Sequence, residues 1–131
     1  GSATNIIDYI TIATAGNAID FGDLGGAYQQ TGGCSSSTRA LRAGAFTTNN
    51  IIEYMTIATT GNALDFGDLT VGRRNTCGAS SETRALFGGG NNQNIIDYVT
   101  IATIGNATDF GDLSQATNFA GGCSNAHGGL S

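Results

Sequence analysis

The chain has 131 residues, and its 40% hydrophobic content is enough for the core of one domain. Its formal net charge is -5, from ten acidic residues against five arginines and no lysine, which argues against a surface that follows a nucleic-acid backbone. No apolar run reaches the roughly 18 residues that span a bilayer. We therefore expect neither nucleic acid nor a membrane as a partner.

One stretch of sequence occurs three times. Its copies read NIIDYITIATAGNAIDFGDL, NIIEYMTIATTGNALDFGDL and NIIDYVTIATIGNATDFGDL, at residues 5–24, 50–69 and 94–113. The copies begin 45 and 44 residues apart, which is the size of one supersecondary unit. The sequence therefore predicts a single repeat domain spanning 1–131, with repeats at approximately 5–49, 50–93 and 94–131.

Two strands are predicted within each copy. NIIDYITIAT, at 5–14, is rich in β-branched and aromatic residues and ends before the turn dipeptide Gly16-Asn17. Both faces of this strand are apolar, which suits a sheet covered on two sides. The second strand, at 18–24, is shorter and antiparallel to the first. It carries a phenylalanine expected to be a structural anchor in every repeat, as Phe21, Phe66 and Phe110.

The repeats diverge in the segment that follows. It reads GGAYQQT from Gly25, TVGRRNT from Thr70 and SQATNFA from Ser114. Divergence among otherwise close copies indicates that the fold constrains these positions weakly, and exposed variable loops are where binding residues concentrate. The candidate binding residues are therefore the larger polar and aromatic side chains of these segments: Tyr28, Gln29, Gln30, Arg73, Arg74, Asn75, Asn118 and Phe119.

Two further strands complete a repeat. GGCSSS at 32–37 and CGASSE at 77–82 are small-residue segments, which suit a strand where backbones crowd together. TRAL, at 38–41 and 83–86, predicts a strand that runs into a glycine-rich turn. Each full repeat is thus predicted to hold four short strands, which in cyclic order are the small-residue, TRAL, NIIDY and DFGDL strands.

This pattern resembles the blades of Kelch-type β-propellers, most closely the Kelch-like repeats of virion and tail proteins of aquatic bacteriophages. TRALFGGG, NIIDYVTIAT and GNATDFGDL carry the resemblance, and Gly88-Gly89, Tyr98 and Phe110 resemble the glycine pair, tyrosine and outer aromatic of such blades. The resemblance implies an all-β propeller of four-stranded blades, with three blade-equivalents per chain. One blade would be split between residues 5–24 and 121–131. The resemblance also implies a virion or extracellular location.

Closure of such a propeller raises the question of a partner chain. Three blades fall below the usual four to eight, so we expect a homodimer in which two chains complete a six-bladed ring. A β-trefoil is the alternative fold, because three repeats of about this length, with four strands each, close within a monomer. The apolar two-sided strand and the glycine run favour the propeller.

Repeated charged residues are interpreted as structural. Asp23, Asp68 and Asp112 lie beside glycines, where aspartate caps turns and strand ends by accepting bonds from nearby amides. Arg39 and Arg84 recur at one repeat position. They are expected to pair with a repeated acid such as Asp23 or Asp68 and so to hold adjacent strands in register.

Neither a metal site nor a cofactor is expected. The single histidine, His127, and the cysteines Cys34, Cys77 and Cys123 contain no C-x-x-C pair. We interpret the three cysteines as small, buried apolar residues, because free cysteine is often fully buried.

The expected function is non-enzymatic, since the sequence shows neither a nucleophile elbow nor an acid–base constellation. We expect a structural or adhesive module that presents its divergent loops to a glycan, a virion protein or a cell-surface protein. A carbohydrate-binding lectin with one shallow site per repeat is the alternative. Its pocket residues would come from the repeated segments and not from the divergent ones.

Overall fold

The computed structural model describes residues 2–47 and 49–124, and over these residues the chain is all-β, as predicted. The described part contains ten strands in three antiparallel sheets. The strands are β1 (Thr4–Tyr9), β2 (Ile19–Tyr28), β3 (Gly32–Ser35), β4 (Arg39–Ala45), β5 (Asn49–Thr56), β6 (Leu64–Asp68), β7 (Cys77–Ser80), β8 (Arg84–Gly88), β9 (Gln93–Thr100) and β10 (Thr108–Thr117).

Each four-stranded sheet takes its first two strands from one repeat and its last two from the next, and we call the three sheets units 1, 2 and 3. Unit 1 is the pair β1-β2, unit 2 has the order β3-β4-β5-β6, and unit 3 has the order β7-β8-β9-β10. The predicted order of small-residue, TRAL, NIIDY and DFGDL strands is confirmed in units 2 and 3. None of the three sheets closes on itself. The C-terminal part of the predicted split blade, residues 125–131 with His127, lies outside the described residues.

The NIIDY strands end earlier than the sequence suggested. β1 ends at Tyr9, and the following T-x-x-T segment forms a turn in which Thr14 N donates to Thr11 O at 3.2 Å. The equivalent threonines of units 2 and 3 make the same bond. The β-branched residues of TIAT favoured a strand, but a backbone hydrogen bond within this segment closes a turn and ends the strand.

A shared core joins units 2 and 3. Its buried side chains come from β4, β5 and β6 with the residue after β6 on one side, and from β8 and β9 with the residue after β9 on the other. They are Leu41, Ala43, Ile52, Tyr54, Phe66, Leu69, Ala85, Phe87, Val99 and Ile101. Burying a side chain such as Phe66 contributes about 2–3 kcal/mol relative to leaving it exposed, so this contact holds the two sheets together.

The repeated phenylalanines each meet a tyrosine of the neighbouring strand. The ring centroids of Phe21 and Tyr9 lie 5.9 Å apart with the planes at 84°, an edge-to-face contact. The equivalent pairs in units 2 and 3 have centroids 5.9 and 6.0 Å apart. The phenylalanine therefore ties the outer strand to the NIIDY strand in every unit.

The small-residue strands lie against one another. A Cβ added at Gly78 in β7 would overlap the carbonyl oxygen of Gly33 in β3, so the two backbones are in direct contact. At the same repeat position, a Cβ on Gly122 would lie 2.9 Å from Gly78 O. The segment after β10 thus begins to continue the series of small-residue strands beyond unit 3.

Candidate functional site

The most regular feature of the molecule is the junction between consecutive units. After β5, the Gly-Asn-Ala segment of unit 2 lies along the outer strand β2 of unit 1. Gly61 N donates to Phe21 O at 2.8 Å, and Ala63 N donates to Asp23 O at 2.8 Å. Asp23 N in turn donates to the side-chain oxygen Oδ1 of Asn62 at 3.0 Å. These three bonds cover the edge of β2, which would otherwise expose unpaired backbone groups.

The junction between units 2 and 3 repeats these bonds. Gly105 N donates to Phe66 O and Ala107 N donates to Asp68 O, each at 2.8 Å. Asp68 N donates to Asn106 Oδ1 at 3.1 Å. The recurrence of G-N-A and D-F-G-D in the sequence therefore reflects two halves of one contact, made between neighbouring repeats.

The central glycine of D-F-G-D permits the close approach. Gly22 and Gly67 have φ of 151° and 145°, and a Cβ on either would overlap the carbonyl oxygen of Gly61 or Gly105. Gly111 has nearly the same φ, 144°, yet a Cβ there would meet no atom within 4 Å. The third copy of the edge thus has the backbone geometry of the other two, but no described residue packs against its glycine.

A buried acid closes each junction. Glu53 and Asp97 occupy the same position of the NIIEY and NIIDY strands and are 5% and 0% exposed. Glu53 Oε1 accepts from Gly25 N at 2.7 Å. Asp97 Oδ2 accepts from Thr70 N at 3.2 Å, and its Oδ1 accepts from Thr70 Oγ1 at 2.6 Å. Each acid therefore grips the first residue of the preceding divergent segment.

An arginine neutralises each of these acids, from two different places in the fold. Arg42 Nη2 lies 2.6 Å from Glu53 Oε2, and Arg42 stacks under the Tyr28 ring at 3.8 Å. Arg73 Nη2 lies 2.8 Å from Asp97 Oδ2, with both side chains fully buried. Burial lowers the pKa of Arg73, and the charge of Asp97 opposes that effect.

The two junctions hold their arginine and their aromatic residue at reversed repeat positions. Tyr28 and Arg73 occupy one repeat position in the divergent segments, while Arg42 and Phe87 occupy one position in the TRAL strands. In one junction the divergent aromatic stacks on the strand arginine, whereas in the other the divergent arginine donates to the backbone carbonyl of the strand aromatic. The arginine charge and the aromatic ring are thus kept while their positions swap.

This arrangement changes the interpretation of the candidate binding residues. Arg73 is 0% exposed, so its guanidinium is not presented to a ligand. Tyr28 covers Arg42 in the unit 1–unit 2 junction. The inference of weak structural constraint on the divergent segment is therefore wrong at these two positions, because both side chains complete a buried ion-pair site.

The remaining candidates lie in two places. The segments carrying Gln29, Gln30, Arg74 and Asn75 are brought together, because Asn75 N donates to Gln30 O at 2.8 Å and Arg74 stacks over Phe46 at 5.3 Å. Asn118 and Phe119 lie after β10, and Phe119 is 70% exposed. Within the described residues, no hydrogen bond or ring contact joins these last two to the first group.

The predicted pairing of Arg39 and Arg84 with Asp23 or Asp68 is wrong. Arg39 Nη1 donates to Ile101 O at 2.8 Å, and its guanidinium stacks on Tyr54 at 4.6 Å. Arg84 stacks on the tyrosine of its own unit, Tyr98, at 4.9 Å. These arginines prefer carbonyl and aromatic partners, whereas Asp23, Asp68 and Asp112 lie in the outer strands β2, β6 and β10. Sequence analysis missed the real ion pairs because each uses a position that changes between repeats.

Residues that are buried in the two complete junctions are exposed at the first and last units of the chain. In unit 3, Phe110 is 53% exposed, whereas the equivalent Phe66 is fully buried. In unit 1, Ile12 is 94% exposed, whereas the equivalent Ile101 is 2% exposed. The acid Asp8, equivalent to Glu53 and Asp97, is also exposed.

A groove of about 210 Å³ lies between units 1 and 2. Its apolar lining is Ile7, Tyr9, Phe21, Ala40, Met55 and Ile57. The same repeat positions between units 2 and 3 are all core residues, namely Ile52, Tyr54, Phe66, Ala85, Val99 and Ile101. In that complete core they pack with Leu41 of the TRAL strand. Unit 1 has no TRAL strand among the described residues, so the groove is the same core left open.

No protein-family model and no curated protein matches the chain. Over the described residues, no three histidine, cysteine or acidic side chains are grouped so that they could hold a metal ion. The same part of the chain has no helix long and apolar enough to cross a membrane. The function is therefore argued from the junctions and the two chain ends.

Proposed function

We propose that this protein is a non-enzymatic structural module whose units are four-stranded, Kelch-like propeller blades, and that two copies assemble into a six-bladed ring. The open groove beside unit 1 is the observation that carries the proposal. An apolar groove built from core positions favours a filler of the same kind as Leu41, which occupies the complete core.

The C-terminal segment has the sequence to fill it. Cys123 and Leu130 are spaced as Cys34 and Leu41 are, so Leu130 falls at the leucine position of TRAL. Gly122 already lies against Gly78 in the manner of the small-residue strands. We therefore assign residues 121–131 of one copy to the missing inner strands of unit 1 in a second copy.

Three blade-equivalents per chain then give six blades for two chains, within the usual four to eight of a propeller. Assembly would leave the polar surface of the exposed Gln30 and the half-buried Gln29, Arg74 and Asn75 available for adhesion. Together with the Kelch-like resemblance, this surface supports a scaffold in a virion or outside the cell that binds a glycan or a protein.

The solution mass tests the assembly. Light scattering is expected to give twice the chain mass of 13.2 kDa. Leu130→Asp places a charge in the groove and is expected to yield a monomer, whereas Leu130→Met keeps an apolar filler of similar volume and retains the dimer. A wild-type chain that stays folded and monomeric at millimolar concentration would overturn the ring and favour the β-trefoil alternative.

A second candidate function is sugar binding, because one hollow recurs at equivalent positions. In unit 3, it measures about 280 Å³ beside Thr103 and Asn106, and in unit 1 it measures about 190 Å³ beside Thr14 and Asn17. A lectin would use such a site once per repeat. A glycan array tests this function. Glycan binding that is lost in Thr103→Val and Thr14→Val favours the lectin, and the absence of binding to any glycan favours the structural module.

A further inference from the structure

The junction between units is complete twice in the chain and begun a third time at each end. Its outer edge is present as Phe21–Asp23, Phe66–Asp68 and Phe110–Asp112, and its loop as residues 61–63, 105–107 and 16–18. The first two edges hold the first two loops. Within the described residues, the third edge, at Phe110, binds no loop, and the third loop, at Gly16, binds no edge.

We propose that the loop at residues 16–18 of one copy docks on the edge at residues 110–112 of the next copy, head to tail. Gly16 N then donates to Phe110 O, and Ala18 N donates to Asp112 O, as their equivalents do inside the chain. Asp112 N donates to Asn17 Oδ1, the bond that Asn62 and Asn106 accept internally. The inference rests on the proposed assembly and names the contact that orients it.

Gly111 supports this partner over others. Its φ of 144° matches those of Gly22 and Gly67, where the neighbouring carbonyl oxygen comes so close that a side chain cannot fit. At Gly111 the same space is open. Gly111 has a conformation that other residues rarely adopt, although no described residue approaches its Cβ position, and this geometry fits a carbonyl supplied by another copy.

The proposed contact also gives hydrogen-bond donors to Asp8, the third copy of the junction acid. Asp8 occupies the position of Glu53 and Asp97 and is exposed. Ser114 occupies the position of Thr70, whose backbone amide and hydroxyl both donate to Asp97. In the head-to-tail contact, Ser114 N and Oγ of one copy donate to the Asp8 carboxylate of the next.

One element of the internal junctions is missing from this contact. The two positions that supply arginine internally are Thr117 and Ser131 in the third repeat, so no guanidinium neutralises Asp8. A buried carboxylate with hydrogen bonds but without a counter-charge costs free energy. The contact between copies is therefore weaker than the internal junctions, as suits a contact formed between separate chains.

A gain-of-function variant tests this prediction. Thr117→Arg places a guanidinium where Arg73 stands in the internal junction, and it is expected to lower the dissociation constant of the dimer at least tenfold. Gln115→Arg adds the same charge to the same strand at an exposed position and is expected to change it less than threefold. Adding Asp8→Asn to Thr117→Arg removes the carboxylate and is expected to cancel the gain.

A loss-of-function pair uses bulk at the loop. Ala18→Arg is expected to prevent the loop from docking, because Ala63 and Ala107 at this position are partly buried in the internal junctions. Dimerisation is therefore expected to weaken at least a hundredfold. Ala13→Arg is the control, since Ala58 and Ala102 at its position stay exposed in complete junctions. Circular dichroism confirms that both variants fold.

Direction is tested by mixing two blocked chains. Ala18→Arg blocks the loop end and Ser114→Arg blocks the edge end, so neither variant alone makes a junction. Mixed together, they retain one open junction and are expected to form a heterodimer by sedimentation. If Ala18→Arg dimerises as well as Ala13→Arg while the wild type is a dimer, the contact is wrong although the assembly stands. A monomeric wild type instead overturns the assembly itself.

Discussion

Removing the buried arginine of the second internal junction is expected to destabilise the chain strongly. The guanidinium of Arg73 is fully buried, lies 2.8 Å from Asp97 Oδ2, and also donates to Ile95 O and Phe87 O at 3.1 and 3.3 Å. In Arg73→Met, the methionine fills much of the volume, but the Asp97 carboxylate stays buried with only the two bonds from Thr70.

The magnitude follows from the cost of leaving a buried charge without its partner. Breaking such a pair costs about 3–5 kcal/mol, a large share of the roughly 5–15 kcal/mol by which domains are stable. With a urea dependence of about 2 kcal/mol per molar, the unfolding midpoint should fall by about 2 M. The measurement is equilibrium urea unfolding at one fixed chain concentration, because assembly would also shift the midpoint.

Two variants make the result decisive. Arg74→Met removes the neighbouring arginine, which is half-buried and stacks on Phe46, and is expected to cost less than about 1 kcal/mol. Arg73→Met with Asp97→Leu removes both charges and is expected to recover part of the loss. If Arg73→Met costs no more than Arg74→Met, or if the double variant loses the sum of its parts, the buried pair does not hold the junction.

Packing and thiol chemistry give three further predictions. Gly67→Ala is expected to lower the melting temperature by several degrees, since its Cβ would overlap Gly105 O, whereas Gly105→Ala meets open space and changes it little. Burial raises the pKa of the Cys34 thiol to about 12, so iodoacetamide at pH 8 should modify it on the order of a thousandfold more slowly than an ordinary thiol. Cys123, at the same repeat position, is exposed, and its modification should slow as chain concentration rises; equal rates at all concentrations would contradict the assembly.

The strand order of a repeat was predictable because each strand has its own composition. Small residues, TRAL, NIIDY and DFGDL mark four segments that β3 to β6 and β7 to β10 reproduce in order. The contacts between repeats were not predictable in the same way. Glu53 pairs with Arg42 on the adjacent strand of the same unit, but Asp97 of unit 3 pairs with Arg73 from the segment after β6, 24 residues away. No periodic search finds a partner that changes its repeat position.

That change of position bears on where a ligand can bind. Divergence between repeats indicated freedom from the fold, but Tyr28 stacks on the buried Arg42 and Arg73 pairs with the buried Asp97, so both divergent residues are fixed by their partners. The constraint acts on the pair and is invisible at either position alone. Only positions that vary without such compensation remain free to serve a partner. In the described chain, these are the exposed or half-buried side chains Gln29, Gln30, Arg74 and Asn75, with Asn118 and Phe119 lying apart from them, and they are fewer than divergence alone implies.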